Sequence, residues 1–126
     1  MENNKKLRVA AYVRVSDETK ETQRSLYAQE EFYRRQIHEN MDWEMAGIYK
    51  DNGISGTDIK RREGFTRLIS DCEAEKIDLI LVKSVSRFAR NTLDLLRIVR
   101  HLKQMGVAVW FEEQNINSLT EEGELM

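Results

Sequence analysis

The stretch IDLILVKS, Ile77 to Ser84, decides how this chain folds. Four consecutive apolar residues, Leu79 to Val82, leave neither face of an extended segment polar. A strand without a polar face suits the middle of a sheet covered on both sides, and such sheets are mostly parallel. Outward from it, the pattern alternates. Upstream, Leu7 to Val15 reads as a strand and Thr22 to about Glu39 as a helix with Leu26, Tyr33 and Ile37 on one stripe. Trp43 to Asp51 reads as a second strand, and Gly64 to about Glu75 as a helix turning Phe65, Leu68, Ile69 and Cys72 inward. Downstream, Thr92 to Met105 is a third helix, apolar through Leu93, Leu96, Val99 and Leu102, with Gly106 as its C-cap. VAVWFEE follows as a strand, then a short edge strand at Ile116 to Leu119. Strand–helix alternation at this spacing predicts a three-layer α/β/α domain with a mostly parallel sheet of four to five strands.

Bulk properties narrow the classes. At 126 residues with 40% hydrophobic and 33% charged content, the chain is one globular domain. It has no apolar run of membrane-spanning length and no signal-peptide pattern. One cysteine, Cys72, rules out an intrachain disulfide, and His38 and His101 do not form a zinc pattern. A soluble cytoplasmic protein without a structural metal is expected. The net charge of −2 conceals a division: Lys83 to Lys103 carries six cations and one anion, whereas Gln104 to Met126 carries five glutamates and no cation.

The chemistry is announced by YVRVS, Tyr12 to Ser16. Side chains alternate along a strand, so Tyr12, Arg14 and Ser16 share one face. Arg14 and Ser16 therefore emerge at the carboxyl end of the first strand, where sheets of this kind place their sites. Beyond the central strand, VKSVSRFARN supplies Ser86, Arg87 and Arg90; as a helical turn it would set the two arginines on one face. Arg62, from the loop after the second strand, could reach the same crevice. A hydroxyl ringed by guanidiniums suits phosphoryl transfer, which is catalysed mainly by positioning and fixed positive charge. Taken singly, Ser16 reads as a turn or helix-cap residue, Asp51 as a turn former, Gln29 as a surface residue, and Arg87 and Arg90 as a solvated face. Their order and joint placement carry the argument.

Those residues resemble the catalytic domain of the serine recombinases, the resolvase/invertase family, over essentially the whole chain. YVRVS is similar to the motif carrying the nucleophilic serine, Ser16, and a phosphate-binding arginine, Arg14. SLYAQ resembles the block that places an active-site glutamine at Gln29; YKDNGISG points to Asp51, with Ser55 and Gly56 following; RREGF points to Arg62. LILVKSVSRFARN resembles the block whose two arginines fall on Arg87 and Arg90. Many small resolvases have an acidic residue where this chain has Ser86; the serine form resembles the large serine recombinases, and Ser86 is read only as a hydrogen-bond donor.

The resemblance implies a site-specific DNA recombinase in which Ser16 attacks a phosphodiester to give a 5′-phosphoserine link, with no metal, ATP or other cofactor. It implies double-stranded DNA as partner, a homodimer, and a synaptic homotetramer in the full-length protein. Residues 1–126 would be the N-terminal catalytic domain, with a dimerisation helix starting at about 121 and the DNA-binding region absent. Without DNA a splayed site is expected, and weak DNA binding by this chain alone. One alternative is a regulatory or partner domain that keeps the fold without the reaction. Another, a nucleotide-binding domain, would need a glycine-rich loop after the first strand, and VSDETKET has no glycine.

Overall fold

A computed structural model describes residues 6–15, 20–52 and 62–118. In chain order these form β1 (Leu7–Val15), α1 (Lys20–Glu39), β2 (Trp43–Asn52), α2 (Glu63–Glu73), β3 (Leu79–Val82), α3 (Val85–Phe88), α4 (Thr92–Gln104), β4 (Ala108–Phe111) and β5 (Ile116–Asn117). The strands make one sheet in the order β2-β1-β3-β4-β5, parallel except for β5. This is the three-layer, mostly parallel α/β architecture that the alternation predicted. The segment from 119 onward, where a dimerisation helix is expected, lies outside the described residues. Among the described residues no helix is long and apolar enough to cross a membrane.

The apolar run at Leu79–Val82 sits at the sheet's centre. It pairs with Val9–Tyr12 on one side and with Ala108–Phe111 on the other, and all four of its residues are buried. Parallel crossovers are right-handed. The step from β1 to β2 runs one way across the sheet, and the steps to β3 and β4 run the other way. Hence α1 covers one face, while α2 and α4 cover the opposite face.

The cores follow the period of two. Val9, Ala11, Val13, Leu79 and Leu81 meet Leu26, Tyr33 and Ile37 of α1. Ala10, Tyr12, Ile80 and Val82 meet Leu68, Cys72, Leu95 and Leu102 on the other side. In α4 the inward stripe is Leu95, Val99 and Leu102, not one that includes Leu93, which is 58% exposed. Nine residues make about two and a half turns, so Leu93 points away from Leu102. Gly106 closes α4 with φ +79°, a conformation that costs glycine no Cβ clash.

Three buried tyrosines tie elements together through carboxylates. Tyr12 donates to Asp51 Oδ2 at 2.7 Å, Tyr33 to Glu112 Oε1 at 2.6 Å, and Tyr49 to Asp71 Oδ2. Burial first, then the adjoining carboxylate, pushes the Tyr33 and Tyr49 phenols above their ordinary value of 10.0. For Tyr12 burial also dominates, with the Arg62 cation opposing it.

Because the folded state holds these protons more tightly than the unfolded chain, their stabilisation is complete below about pH 10 and is lost as pH rises through the raised folded values. The unfolding free energy from urea titrations is expected to fall above about pH 10, by about 1.4 kcal/mol per pH unit for each tyrosine that ionises only on unfolding. Tyr33→Phe should remove part of that slope. Packing makes a second expectation. A Cβ on Gly64 would stand 2.3 Å from the Lys50 carbonyl oxygen and 2.9 Å from its carbon, both of them backbone atoms of β2. Gly64→Ala should therefore push α2 off the sheet and lower stability by about 2–3 kcal/mol in urea unfolding.

Candidate active site

The chain leaves β1 toward one side of the sheet and leaves β3 toward the other, so their neighbouring carboxyl ends open a crevice. Arg14, on the Tyr12 face of β1, projects into it, and β3 runs through Lys83 and Ser84 into α3. Ser16 follows β1 directly in sequence but lies outside the described residues, as do Ser55 and Gly56. The expected splaying of the site turns on Ser16 and so falls outside them as well.

Arg14 and Arg87 interlock. Arg14 Nη2 donates to the Ser86 carbonyl at 2.9 Å, and Arg87 Nη1 donates in return to the Arg14 carbonyl. Among the described residues, Arg14 Nε is buried and has no hydrogen-bond partner. Burial first, then the Arg62 and Arg87 cations, holds the Arg14 pKa below its ordinary value, with Tyr12 and Asp51 opposing. Arginine stays charged through such a shift. A partly desolvated cation that borders an open cleft and has like-charged neighbours is a receptor for an anion.

Arg87 and Arg90 do not share a helical face, which corrects the sequence expectation. The helix breaks at Ala89, whose backbone is extended (φ −139°, ψ 153°), and α4 starts afresh with Asn91 Oδ1 accepting from Asp94 N at 2.9 Å. The side-chain cap competes successfully with continuation of the helix. Arg90 nevertheless reaches the crevice: with Arg14, Ser84, Ser86, Asn91 and Gln114 it lines an open cleft of about 640 Å³. Its Nε lies 3.7 Å from Asp94 Oδ2. Ser86 is exposed there, with its Oγ 3.0 Å from Ser84 Oγ.

Asp51 and Arg62 sit beneath this surface. Asp51 accepts from Gly64 N (2.8 Å) and Phe65 N (3.0 Å), so it caps α2 from another strand while also receiving the Tyr12 hydroxyl. Residue 62, at the local N-cap position, supplies no side-chain cap. Arg62 is 9% exposed. It donates to Tyr12 Oη (3.2 Å), to the Phe88 carbonyl (3.0 Å) and to the Arg87 carbonyl (3.4 Å), with its Cζ 4.0 Å from the centre of the Phe65 ring. It joins β1, α2 and the end of α3.

Gln29 stands apart. It lines a separate cavity of about 520 Å³ with Ser25, Phe32, Tyr33, Lys83 and Glu112, and its amide donates to Ser25 Oγ at 3.3 Å. Glu113 borders both spaces. Sequence reasoning placed Tyr12 on the Arg14 face but did not find it as the bridge between Asp51 and Arg62. It missed Ser84 and Gln114 altogether, since contacts so remote in sequence leave no periodicity.

The family model described as Resolvase, N terminal domain, matches residues 9–126. A resolvase/recombinase of Pseudomonas putida is 32% identical over 71 residues, or 56% of this chain and 37% of that protein. The matched part thus spans little more than a third of that relative. A resolvase family site-specific recombinase from Streptococcus pneumoniae has a similar structure, with a TM-score of 0.77 and 32% identity over 95% of this chain and 83% of that one. For the N-terminal catalytic domain of TP901-1 integrase the TM-score is 0.72 and the identity 25%, with coverage of 94% and 86%.

Removing the Asp51 carboxylate leaves two helix N–H groups and the Tyr12 hydroxyl without their acceptor. Asp51→Ala is expected to destabilise the chain by about 2–4 kcal/mol, read from the urea midpoint, whether or not a ligand is present.

Proposed function

The chain belongs to the resolvase N-terminal domain family, and from that premise we propose that it is the catalytic domain of a site-specific DNA recombinase with Ser16 as nucleophile. One observation carries the reading: Arg14 lines the open cleft with Arg90 and interlocks with Arg87 at the carboxyl end of β1, two residues before Ser16 in the sequence. Two like charges so placed are stabilised by an anion between or beside them, and a DNA phosphate matches the planar donor fork.

In the proposed reaction the Ser16 oxygen attacks the scissile phosphorus. The serine loses its proton, the Oγ–P bond forms, and the P–O3′ bond breaks as the leaving oxygen gains a proton. This gives a 5′-phosphoserine ester and a free 3′-hydroxyl. Arg14, Arg87 and Arg90 hold the non-bridging oxygens while negative charge accumulates. The ester conserves the energy of the phosphodiester, so resealing by a 3′-hydroxyl requires no ATP, and fixed guanidinium charge takes the part a metal would play. Asp51 and Arg62 contribute by holding α2 and α3 in place; Ser86 at the cleft, and Gln29 from the cavity that adjoins it at Glu113, help orient the substrate. Strand exchange would involve double-stranded DNA, a homodimer and a synaptic homotetramer of the longer protein, acting in the cytoplasm.

The test incubates the full-length protein with DNA bearing its recombination site and looks for a protein–DNA adduct that survives denaturation. Ser16→Ala should abolish the adduct, and Arg14→Ala or Arg87→Ala should slow its formation by about 100-fold or more. Absence of any adduct with intact protein would favour a regulatory domain that keeps the fold without the chemistry.

A further inference from the structure

A helix of four residues does not hold itself, because one turn makes too few hydrogen bonds to offset the fixing of its backbone. Yet α3 carries Arg87 and presents the Ser86 carbonyl to Arg14. Its carboxyl end is held by Arg62, through the Arg87 and Phe88 carbonyls. Its amino end has no local cap: Ser84 occupies the N-cap position without capping, and its hydroxyl is turned to Ser86 Oγ. The acceptor comes from elsewhere, as Gln114 Oε1 accepts from Val85 N at 3.3 Å.

The main chain brings Gln114 there. Past β4, Glu112 N donates to the Val82 carbonyl (3.0 Å) and Glu113 N to the Lys83 carbonyl (2.8 Å), zipping this loop to the segment that enters α3. Gln114 also borders the cleft of Arg14 and Arg90.

We propose that Gln114 is a positioning residue of the arginine cleft: by holding the Val85 N–H it sets α3, and through α3 the Arg14 and Arg87 guanidiniums. The inference rests on the phosphate reading of that cleft. Glutamate at this position can accept the same hydrogen bond, and alanine cannot. Glutamate also adds a negative charge beside Arg14 and Arg90, which a DNA phosphate must overcome.

Two measurements test it. In the full-length protein, Gln114→Ala should slow cleavage at saturating DNA by about tenfold, with the half-saturating DNA concentration unchanged within about twofold. Gln114→Glu should recover the saturated rate but require more DNA, most of all at low salt. Wild-type cleavage by Gln114→Ala, or failure of Gln114→Glu to recover the rate, overturns the proposal. Independently of DNA, hydrogen exchange at the Val85 amide should quicken in Gln114→Ala and stay slow in Gln114→Glu, with β3 amides unaffected. Equal Val85 exchange in wild type and Gln114→Ala also overturns it. If Val85 exchange behaves as expected but wild-type protein forms no adduct, the cap is upheld and the recombinase reading is what fails.

Discussion

A guanidinium below the protein surface must find acceptors for its N–H groups, and this requirement organises the end of the molecule where β1 and β3 terminate. Arg62 meets it with the Tyr12 hydroxyl, two carbonyls of α3 and the face of Phe65. Arg14 meets it through the Ser86 carbonyl, while its Nε has no partner among the described residues. The acceptors are main-chain carbonyls that a longer helix would have used internally. The shortness of α3 and its break at Ala89 are therefore what make room for the arginines. Cations, strand end and helix form one unit, and a shift in any of them strands a charge.

That unit is anchored to the sheet by Asp51. Its carboxylate reaches across from β2 to the first N–H groups of α2 and takes the Tyr12 hydroxyl, which in turn accepts from Arg62. The close seat of Gly64 against Lys50 belongs to the same junction, since a side chain there would lift α2 from its cap. Residues that the family resemblance marks as active-site members thus divide by position. Arg14 and Arg90 border open space, whereas Asp51 and Arg62 act from underneath by fixing what stands above them. The second cavity, with Gln29, adjoins the first at Glu113 and is walled by the Tyr33–Glu112 pair.

Much of the architecture was legible because it depends on short-range regularities. Leu79–Val82 has no polar face, so it had to lie centrally; Leu26, Tyr33 and Ile37 repeat at helical spacing, so they had to face inward. Leucines lie on more than one side of α4, so its apolar residues alone do not give its phase; the sheet beneath selects Leu95 and leaves Leu93 exposed. Arg87 and Arg90 were misread as one helical face because their spacing permits it. Asn91 starts a new helix instead, and the cap is visible only once α4 has a direction.

The amino-acid sequence alone determined the layer class, the order of its elements, the buried faces of β1 and β3, and which segments bring arginines to the carboxyl edge. Each of these follows from patterns spanning a few residues. Only the tertiary structure decided what those arginines touch, that Asp51 caps a helix from a different strand, that Gln29 faces a separate cavity, and that Gln114 serves Val85. The Asp51–Gly64, Gln114–Val85 and Arg87–Arg14 contacts join residues 13 to 73 positions apart. Their geometry is set by the registers of neighbouring strands, and no local pattern encodes where one strand stops against another.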